Sequence, residues 1–524
     1  MNDYIANLIQ AIKLSGEAEV VERVETHISW VLLTGKYAYK IKKPVNLGFL
    51  DFSTLEKRRF YCQEELRLNS RLAPTIYLDV VPITGSVEKP VLGGNGAVID
   101  YAVKMKQFPA QSELTHVVEH NQLEDRHIDR LAEIIADFHQ RIDRSSAQTK
   151  WGTPEQAHHS TQDTFECLLR NLSDQHDRSR VEKIYRWINA IFDSHKADFQ
   201  QRHAQGFVRE CHGDLHLGNI ALVDDDTLIF DGIEFSESLR WIDVVSEIAF
   251  LMMDLQYRNL QPKAYRFLNA YLEQTGDYAG LKLLRYYLVY RAIVRAMVAA
   301  LRARQSDVST QSREALQREY RAYLDLAESY IKPQQPLLLL CHGFSASGKS
   351  TITQIILENL PAIRLRSDVE RKRLFGVKKK QKTHSAIGQN VYSKRATELT
   401  YDRLKALSEV VLQSGYHVIV DATFLSRRQR RKFYEMGQRR SCQWIIIDFV
   451  VAEDILRARI EKRCQNQAEV SEADRSVLDY QLKNHDPLDR YEQKFTCKID
   501  AEKSFVFSTF KKQLQQYLKI SCKD

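Results

Sequence analysis

The chain has 524 residues, 44% hydrophobic and 27% charged, with a formal net charge of +8. That balance excludes a disordered or fibrous protein, and the length exceeds what one ordinary core organises, so two or three domains are expected. Eight cysteines without a C-x-x-C pair read as reduced thiols. With no apolar run approaching a membrane span and no signal-peptide pattern at the N-terminus, a cytoplasmic chain with no membrane partner is expected.

Residues 1 to about 108 read as a helix followed by a small sheet with one further helix. His27 to Leu33 and Lys36 to Lys42 alternate apolar and polar residues around Thr34-Gly35, the pattern of a hairpin. Phe52 to Leu72 has helical spacing, with Ser53 or Thr54 as its cap and Pro74 beyond its end. Strand-like runs resume at Tyr77 to Pro82 and Ala97 to Phe108. From about 109 to 330 the spacing turns helical, as in Ile128 to Ile142, Arg180 to Phe199, Ala264 to Gln274 and Leu281 to Arg304. Phe207 to Phe235 interrupts this lobe with a loop rich in Gly and His and a strand pair, Ile220 to Val223 and Thr227 to Phe230. A polar loop set in a helical lobe is a usual seat of chemistry.

That loop, His212-Gly213-Asp214-Leu215-His216-Leu217-Gly218-Asn219, has the H-x-D-x-x-x-x-N spacing of a kinase catalytic loop. Phosphoryl transfer needs a carboxylate to accept the proton of the acceptor hydroxyl, for which Asp214 is the candidate. It also needs oxygen ligands for Mg²⁺, for which Asn219 and Asp231 are the candidates.

Residues 1 to about 330 resemble enzymes of the aminoglycoside phosphotransferase or choline kinase type, with an α+β protein-kinase-like fold. The resemblance rests on His212 to Ile220, Phe230-Asp231-Gly232-Ile233-Glu234-Phe235 and Trp241-Ile242-Asp243. It implies that Lys40 orients the α/β-phosphates of ATP, with Lys42 and Lys43 as neighbouring alternatives, and that Glu64 or Glu65 is its carboxylate partner. Asp243 either braces the catalytic loop or is a surface or capping aspartate. The first hairpin has no G-x-G-x-x-G, Gly232 rather than Phe follows Asp231, and no A-P-E follows, which disfavours a protein substrate. Asp214, Asp231 and Glu234 read as an acidic patch suited to a hydroxylated or cationic small-molecule acceptor.

Ile331 to Pro336 contains two prolines and no periodicity, so 331–336 reads as a linker between a first domain, 1–330, and a second, 337–524. The apolar run Leu337 to Leu340 leads into a loop matching G-x-x-x-x-G-K-[ST]: Gly343, Phe344, Ser345, Ala346, Ser347, Gly348, Lys349 and Ser350, with Thr351 opening a helix. Such a loop turns backbone N–H groups toward a polyphosphate, while Lys349 reaches the β/γ-phosphates and Ser350 offers an oxygen to Mg²⁺. Strands at Ala362 to Leu365, His417 to Val420 and Trp444 to Val450 alternate with helices at Val391 to Ser414 and Ser426 to Gln438. That alternation predicts an α/β fold with a parallel sheet. Asp421 ends an apolar strand and is placed as a Mg²⁺-holding carboxylate. Asp368 follows another strand, where it is either a proton acceptor for a substrate hydroxyl or a helix N-cap.

This second half resembles P-loop kinases of the polynucleotide, gluconate and zeta-toxin type, through Gly343 to Ser350, Arg366-Ser367-Asp368 and Val420-Asp421-Ala422-Thr423. The resemblance implies Asp368 as substrate base and a lid arginine that stabilises the transferring phosphate. Arg459 and Arg463 are the candidates, on one stretch with Arg457. Lys378 to Lys382 reads as a solvated basic loop or as a guide for an anionic acceptor.

The sequence thus predicts an ATP- or GTP-dependent, Mg²⁺-requiring phosphotransferase with two modules, acting on a hydroxyl of a small molecule. Two alternatives stay open: one module catalyses while the other senses nucleotide, or the second phosphorylates polynucleotide 5′-hydroxyls. The net charge does not by itself select nucleic acid, which is not the favoured partner.

Overall fold

A computed structural model describes residues 2–48, 50–146, 151–224, 226–305, 308–377, 393–440, 442–464 and 474–520. The chain divides into two compact units. The first is Met1–Asp254 with Tyr286–Ala327, and the second is Leu255–Arg285 with Glu328–Asp524.

The chain begins with α1 (Asn2–Leu14), β1 (Glu22–Glu25), β2 (Ser29–Leu33), β3 (Tyr37–Lys42), α2 (Leu55–Asn69), β4 (Tyr77–Gly85), β5 (Pro90–Leu92) and β6 (Val98–Lys106). The six strands form an antiparallel sheet in the order β1-β2-β3-β6-β4-β5. Side chains alternate across a strand, so β3 sends Tyr39 and Ile41 into a core with Ile5, Leu8 and Ile12 of α1, and Lys40 and Lys42 to the opposite face, toward α2. The hydroxyl of Thr54 accepts the Lys57 N–H and so caps α2, which selects Thr54 over Ser53.

Helices α3 (Leu114–Glu119), α4 (Asp125–Arg141), α5 (Pro154–Asn171) and α6 (Gln175–Ala204) follow. Then come β7 (Val208–Glu210), β8 (Ile220–Val223), β9 (Asp226–Ile229), α7 (Glu237–Arg240), β10 (Trp241–Asp243) and α8 (Val244–Tyr257). Two small antiparallel pairs, β7 with β10 and β8 with β9, flank the His212 to Asn219 loop on either side in sequence. Sequence spacing assigns no element to Pro154–Asn171. It folds as a helix because Thr153 caps it, Pro154 sits at its first position, and Phe165 and Leu168 are buried.

The chain continues through α9 (Gln261–Thr275), α10 (Leu281–Ala303) and α11 (Thr310–Ile331) to β11 (Leu337–His342), leaving 332–336 outside any helix or strand. Next are α12 (Lys349–Asn359), β12 (Ala362–Arg366), α13 (Ser367–Leu374), α14 (Lys394–Gln413), β13 (His417–Asp421), α15 (Arg427–Arg439), β14 (Gln443–Val450), α16 (Glu453–Cys464), α17 (Arg475–Lys483), β15 (Thr496–Asp500) and α18 (Phe507–Ile520). Five strands form a parallel sheet in the order β12-β13-β11-β14-β15. Leu337 to Cys341 of the central strand are all buried, the continuous apolar run expected of a strand covered on both faces.

The edge strand β12 is closed by a side chain from α9. Asn269 Nδ2 donates to the Ala362 carbonyl at 2.9 Å and Asn269 Oδ1 accepts the Arg364 N–H at 2.7 Å, so this amide takes the place of a sixth strand. The second unit includes Leu255–Arg285 in addition to Glu328–Asp524, which takes in the expected linker. No helix among the described residues is long and apolar enough to cross a membrane. Cys62, Cys167, Cys211, Cys341, Cys442 and Cys497 are free thiols.

Candidate active sites

In the first unit a charged cluster is built between β3 and α2. Lys40 Nζ lies 2.8 Å from Glu65 Oε1 and also pairs with Asp231, while Lys42 Nζ lies 2.7 Å from Glu65 Oε2 and also pairs with Glu234. Glu64 points elsewhere, 2.9 Å from Arg67 and 3.6 Å from Arg240, because successive residues on a helix are turned by about 100°. Glu65, not Glu64, is therefore the residue beside Lys40. Lys43 is spent on Glu25 at 2.6 Å.

Burial pushes Lys40 toward its neutral form, but Asp231, Glu65 and Glu234 override that and hold its pKa well above the usual value. Burial likewise opposes the charge on Glu65, and the two lysines overcome it and hold this carboxyl low. Glu234 goes the other way, raised by burial. It is 4% exposed and bound to Lys42, so the expected acidic patch of Asp214, Asp231 and Glu234 does not include Glu234 as an open carboxylate.

The catalytic-type loop leaves β7 through Gly213, whose φ of +88° suits glycine and whose absent Cβ would sit 2.8 Å from the Leu239 carbonyl oxygen. Asn219 Nδ2 donates to Asp214 Oδ2 at 3.1 Å and to the Asp214 carbonyl at 2.9 Å, which leaves its amide oxygen as a ligand atom. In the neutral ring His216 Nδ1 accepts the Gly218 N–H at 3.1 Å, and in either protonation state Nε2 carries a proton, 3.3 Å from Asp214 Oδ2. Burial would raise the Asp214 pKa. The charge and hydrogen bond of His216, with His212 and Arg295, reverse this and hold it well below the usual carboxylate range. His216 is raised in turn: burial opposes its charge, and Asp214 outweighs the burial.

His212 joins the loop to the following hairpin, donating from Nε2 to the Phe230 carbonyl at 2.8 Å, while Phe230 N–H donates to the Asn219 carbonyl at 2.9 Å. Asp231 comes next. It has φ +61°, a left-handed conformation uncommon outside glycine, and its N–H donates to the Tyr77 hydroxyl at 3.1 Å. Asp214, Asn219, Asp231, Lys40 and Glu65 thus form one connected set.

Sequence reading misses what holds this loop. Glu247 on α8 accepts the N–H groups of His212 and Gly213 at 2.7 and 2.9 Å, and Asp254 accepts that of Leu217 at 2.9 Å. The two acids are seven positions apart, about two turns, and so share one face of α8. Their signal was present, since two carboxylates inside the apolar run Val244 to Leu255 must be paired if buried. Asp243 is buried and bidentate to Arg202 at 2.7 and 2.8 Å. It ties α6 to β10 and makes no bond of its own to the loop.

In the second unit the phosphate-type loop runs from β11 into α12. Gly348, at φ +83°, and Ala346, at φ +64°, turn the backbone into the helix N-terminus. Lys349 Nζ folds onto its own loop, donating to the Gly343 carbonyl at 3.0 Å, the Phe344 carbonyl at 2.6 Å and Ser347 Oγ at 3.2 Å. Gln481 on α17 accepts the Ser345 N–H at 2.9 Å. Ser350 Oγ donates to Asp421 Oδ2 at 2.7 Å, which brings the two expected oxygen ligands together.

β12 and β13 run in register, Arg366 beside Asp421, so both carboxyl ends reach the level of the loop, where open α/β sheets bind ligands. A cleft of about 420 Å³ there is lined by Gly348, Lys349, Ser350, Arg366, Asp368 and Asp421, among others. Asp368 lies within the first turn of α13, whose N-cap is Arg366, so it is not the N-cap.

Arg457 pairs with Glu453 and Asp479, each at 2.7 Å. Arg459 donates to the carbonyls of Ala346 at 3.4 Å and Ala501 at 2.8 Å, and with Lys462 it lines a recess that shares Ala346, Gly348 and Thr351 with the cleft. The Arg463 side chain and Lys378 to Lys382 lie outside the described residues.

Residues 62–284 match the phosphotransferase enzyme family, and residues 338–488 match the AAA domain family. The first stretch carries an aminoglycoside-phosphotransferase kinase-like fold and the second a P-loop nucleotide-binding α/β fold, which supports phosphotransferase activity. The chain is 28% identical over 400 residues to uncharacterized proteins of Mycobacterium tuberculosis and Mycobacterium bovis, covering 76% of its own length and 78% of theirs. Among solved structures it is similar to an amicoumacin kinase, with 14% identity, 62% of this chain and 96% of that one covered, and a TM-score of 0.39. It is also similar to a Plasmodium vivax ethanolamine kinase, with 10% identity, coverage of 62% and 86%, and a TM-score of 0.38. A third such structure is a gluconokinase of Sinorhizobium meliloti, with 19% identity, coverage of 33% and 86%, and a TM-score of 0.23.

Proposed function

We propose that this protein is a cytoplasmic phosphotransferase with two phosphoryl-transfer modules, using ATP or GTP, whose first module phosphorylates a hydroxyl group of a small molecule. The observation that carries the reading is the connected set Lys40, Glu65, Asp214, Asn219 and Asp231, one residue for each task that phosphoryl transfer requires. Lys40 binds the α/β-phosphates, and Glu65 keeps its ammonium charged and aimed. Asp214, ionised at neutral pH, accepts the hydrogen bond of the acceptor hydroxyl and takes its proton as the oxygen attacks the γ-phosphorus, while the bond from that phosphorus to the β–γ bridging oxygen breaks and the nucleoside diphosphate leaves. Asn219 and Asp231 offer the hard oxygen ligands that suit Mg²⁺, as do Ser350 and Asp421 in the second module. When bound, the metal supplies positive charge against the phosphates. In the second module the loop N–H groups and Lys349 hold the polyphosphate, and Asp368 accepts the acceptor's proton. The missing A-P-E and protein-kinase glycine loop favour a small molecule over a protein.

The test uses the full chain and γ-labelled ATP against sugars, amino alcohols, aminoglycosides, oligonucleotides and a protein mixture. Label is expected on a small hydroxylated compound with the wild type and with Lys349→Ala, and not with Asp214→Asn. Label entering protein with the wild type and lost in Asp214→Asn would overturn the small-molecule reading.

A further inference from the structure

The P-loop cleft contains one charge arrangement that neither half of the sequence pattern accounts for. Arg366, at the end of β12, lines the cleft with Nε 3.8 Å from Asp421 Oδ2, the carboxylate that also accepts the Ser350 hydroxyl. A guanidinium so close competes with any cation for that carboxylate. Behind it stands Glu273, on α9 and 3% exposed, with one carboxylate oxygen 3.1 Å from Arg364 Nη2 and the other 3.5 Å from Arg366 Nη1. Arg364 carries the same support to the nucleotide loop, donating to the Ser350 carbonyl at 2.9 Å and to Thr353 Oγ1 at 3.3 Å.

The backbone holds Glu273 in register with this site. Asn269, one turn earlier on α9, is bonded to both sides of the Arg364 peptide region of β12, and Arg373 of α13 donates to the Glu273 carbonyl at 2.6 Å. Arg266, further back on the helix, pairs with Glu358 of α12 at 2.9 Å. All of α9 lies within the stretch that matches the phosphotransferase family, 62–284, and outside the one that matches the AAA domain, 338–488.

We infer that Glu273 is a positioning residue of the P-loop site: it draws the Arg366 guanidinium back from Asp421 and balances its charge, so that Asp421 and Ser350 remain able to hold a divalent cation. This rests on the reading of Ser350 and Asp421 as Mg²⁺ ligands and extends it, because the second site then depends on a helix that belongs in sequence to the first family. With Glu273 neutralised, Arg366 turns its full charge on Asp421, and a divalent cation must displace a guanidinium to bind.

The test uses the full-length chain and a fluorescent ATP analogue, with Lys40→Ala and Asp231→Ala present throughout to remove the phosphate-binding lysine and a metal ligand of the first site, so that Mg²⁺-dependent binding and turnover report the second site. Binding is followed by anisotropy as Mg²⁺ is raised. Glu273→Gln is expected to raise the Mg²⁺ concentration for half-maximal binding about tenfold while binding at saturating Mg²⁺ is nearly kept, and Glu273→Asp is expected to recover part of the loss. Adding Arg366→Gln to Glu273→Gln should restore the Mg²⁺ dependence, because the uncompensated charge is then gone. A purely structural glutamate would instead make the double variant no better than the single one and would lower the unfolding midpoint without moving the Mg²⁺ dependence. That result, or a Glu273→Gln chain with unchanged Mg²⁺ dependence, overturns the inference. Should Glu273→Gln not fold, Glu273→Asp alone decides, since its shorter reach must still raise the Mg²⁺ requirement. Lys349→Ala separates the two readings: if it leaves analogue binding and turnover intact, the P-loop assignment itself fails, whatever Glu273 does.

Discussion

The two candidate sites are built in opposite ways. In the first unit Lys40, Glu65, Asp214, Asn219 and Asp231 come from distant parts of the chain and are joined by side-chain charge, buried at Glu65 and Lys42 and open to solvent at Asp231. In the second, one unbroken loop, Gly343 to Ser350, carries Lys349 and Ser350 together, and Asp368 and Asp421 join it from the ends of two strands. A site carried on one loop is fixed once the strand, loop and helix form. A site made of buried charges is fixed only when every partner is present, since a charge left alone in the interior is costly.

That contrast can be broken most directly at the proton acceptor. Asp214→Asn keeps the size and hydrogen-bonding shape of the side chain, so nucleotide binding should survive while transfer to the acceptor falls by about two to four powers of ten. The measurement is a comparison of equilibrium nucleotide binding with steady-state transfer. Equal transfer by both proteins would remove Asp214 from the chemistry.

Lys349→Ala asks the same of the second unit. It removes one ammonium from a cradle that otherwise stays in place, so turnover at that site should fall by about two to three powers of ten. The unfolding midpoint should change little. A large loss of stability would mean that the lysine's bonds to the Gly343 and Phe344 carbonyls hold the loop together, and the contrast with the first site would weaken.

Stability should show the contrast from the other side. Glu65→Gln leaves Lys40 and Lys42 facing a neutral amide in the interior and should cost about 3–5 kcal/mol, whereas Glu64→Gln, whose partner Arg67 is half-exposed, should cost about 1 kcal/mol or less. Chemical denaturation of both variants checks the ratio. Comparable losses would mean that the adjacent glutamates do equivalent work.

The smallest expected effect is in pH. The depressed pKa of Asp214 keeps it ionised, so first-site activity should persist as pH falls until the carboxylate finally protonates, below the usual carboxylate range. His216→Gln removes the main group opposing burial, so the acid limb of the pH–rate profile should move upward. On the alkaline side His216, raised above its ordinary value by Asp214, stays charged to higher pH than a free histidine. Any contribution it makes is lost only as pH rises through that raised value. An unmoved acid limb would mean that His216 does not tune Asp214.

How much of this could be read in the sequence follows the same division. The phosphate loop was legible because its chemistry is local: glycines, lysine and serine at fixed spacing dictate the shape. The His212 to Asn219 loop was legible for the same reason. Choosing between Glu64 and Glu65 was not, because neighbouring helix residues point about 100° apart and only the docking of α2 on β3 decides which one meets Lys40. Glu234 looked like an open acid until the structure placed Lys42 against it. The part played by Glu273 had no local sign at all, since its partners Arg364 and Arg366 are remote in sequence. The fold classes were legible from periodicity and motifs. The inclusion of Leu255–Arg285 in the second compact unit was not, because nothing in the spacing of α9 tells which sheet it will cover.

The amide of Asn269 has a practical consequence for any attempt to divide the protein. A polypeptide beginning at residue 337 would keep all five parallel strands but would leave the Ala362 carbonyl and the Arg364 N–H bare along β12. An open edge of this kind is a template for another chain. Such a fragment would be expected to self-associate by strand addition while its secondary structure looked intact, so poor solution behaviour after cutting at the linker would report a missing helix rather than a misfolded sheet.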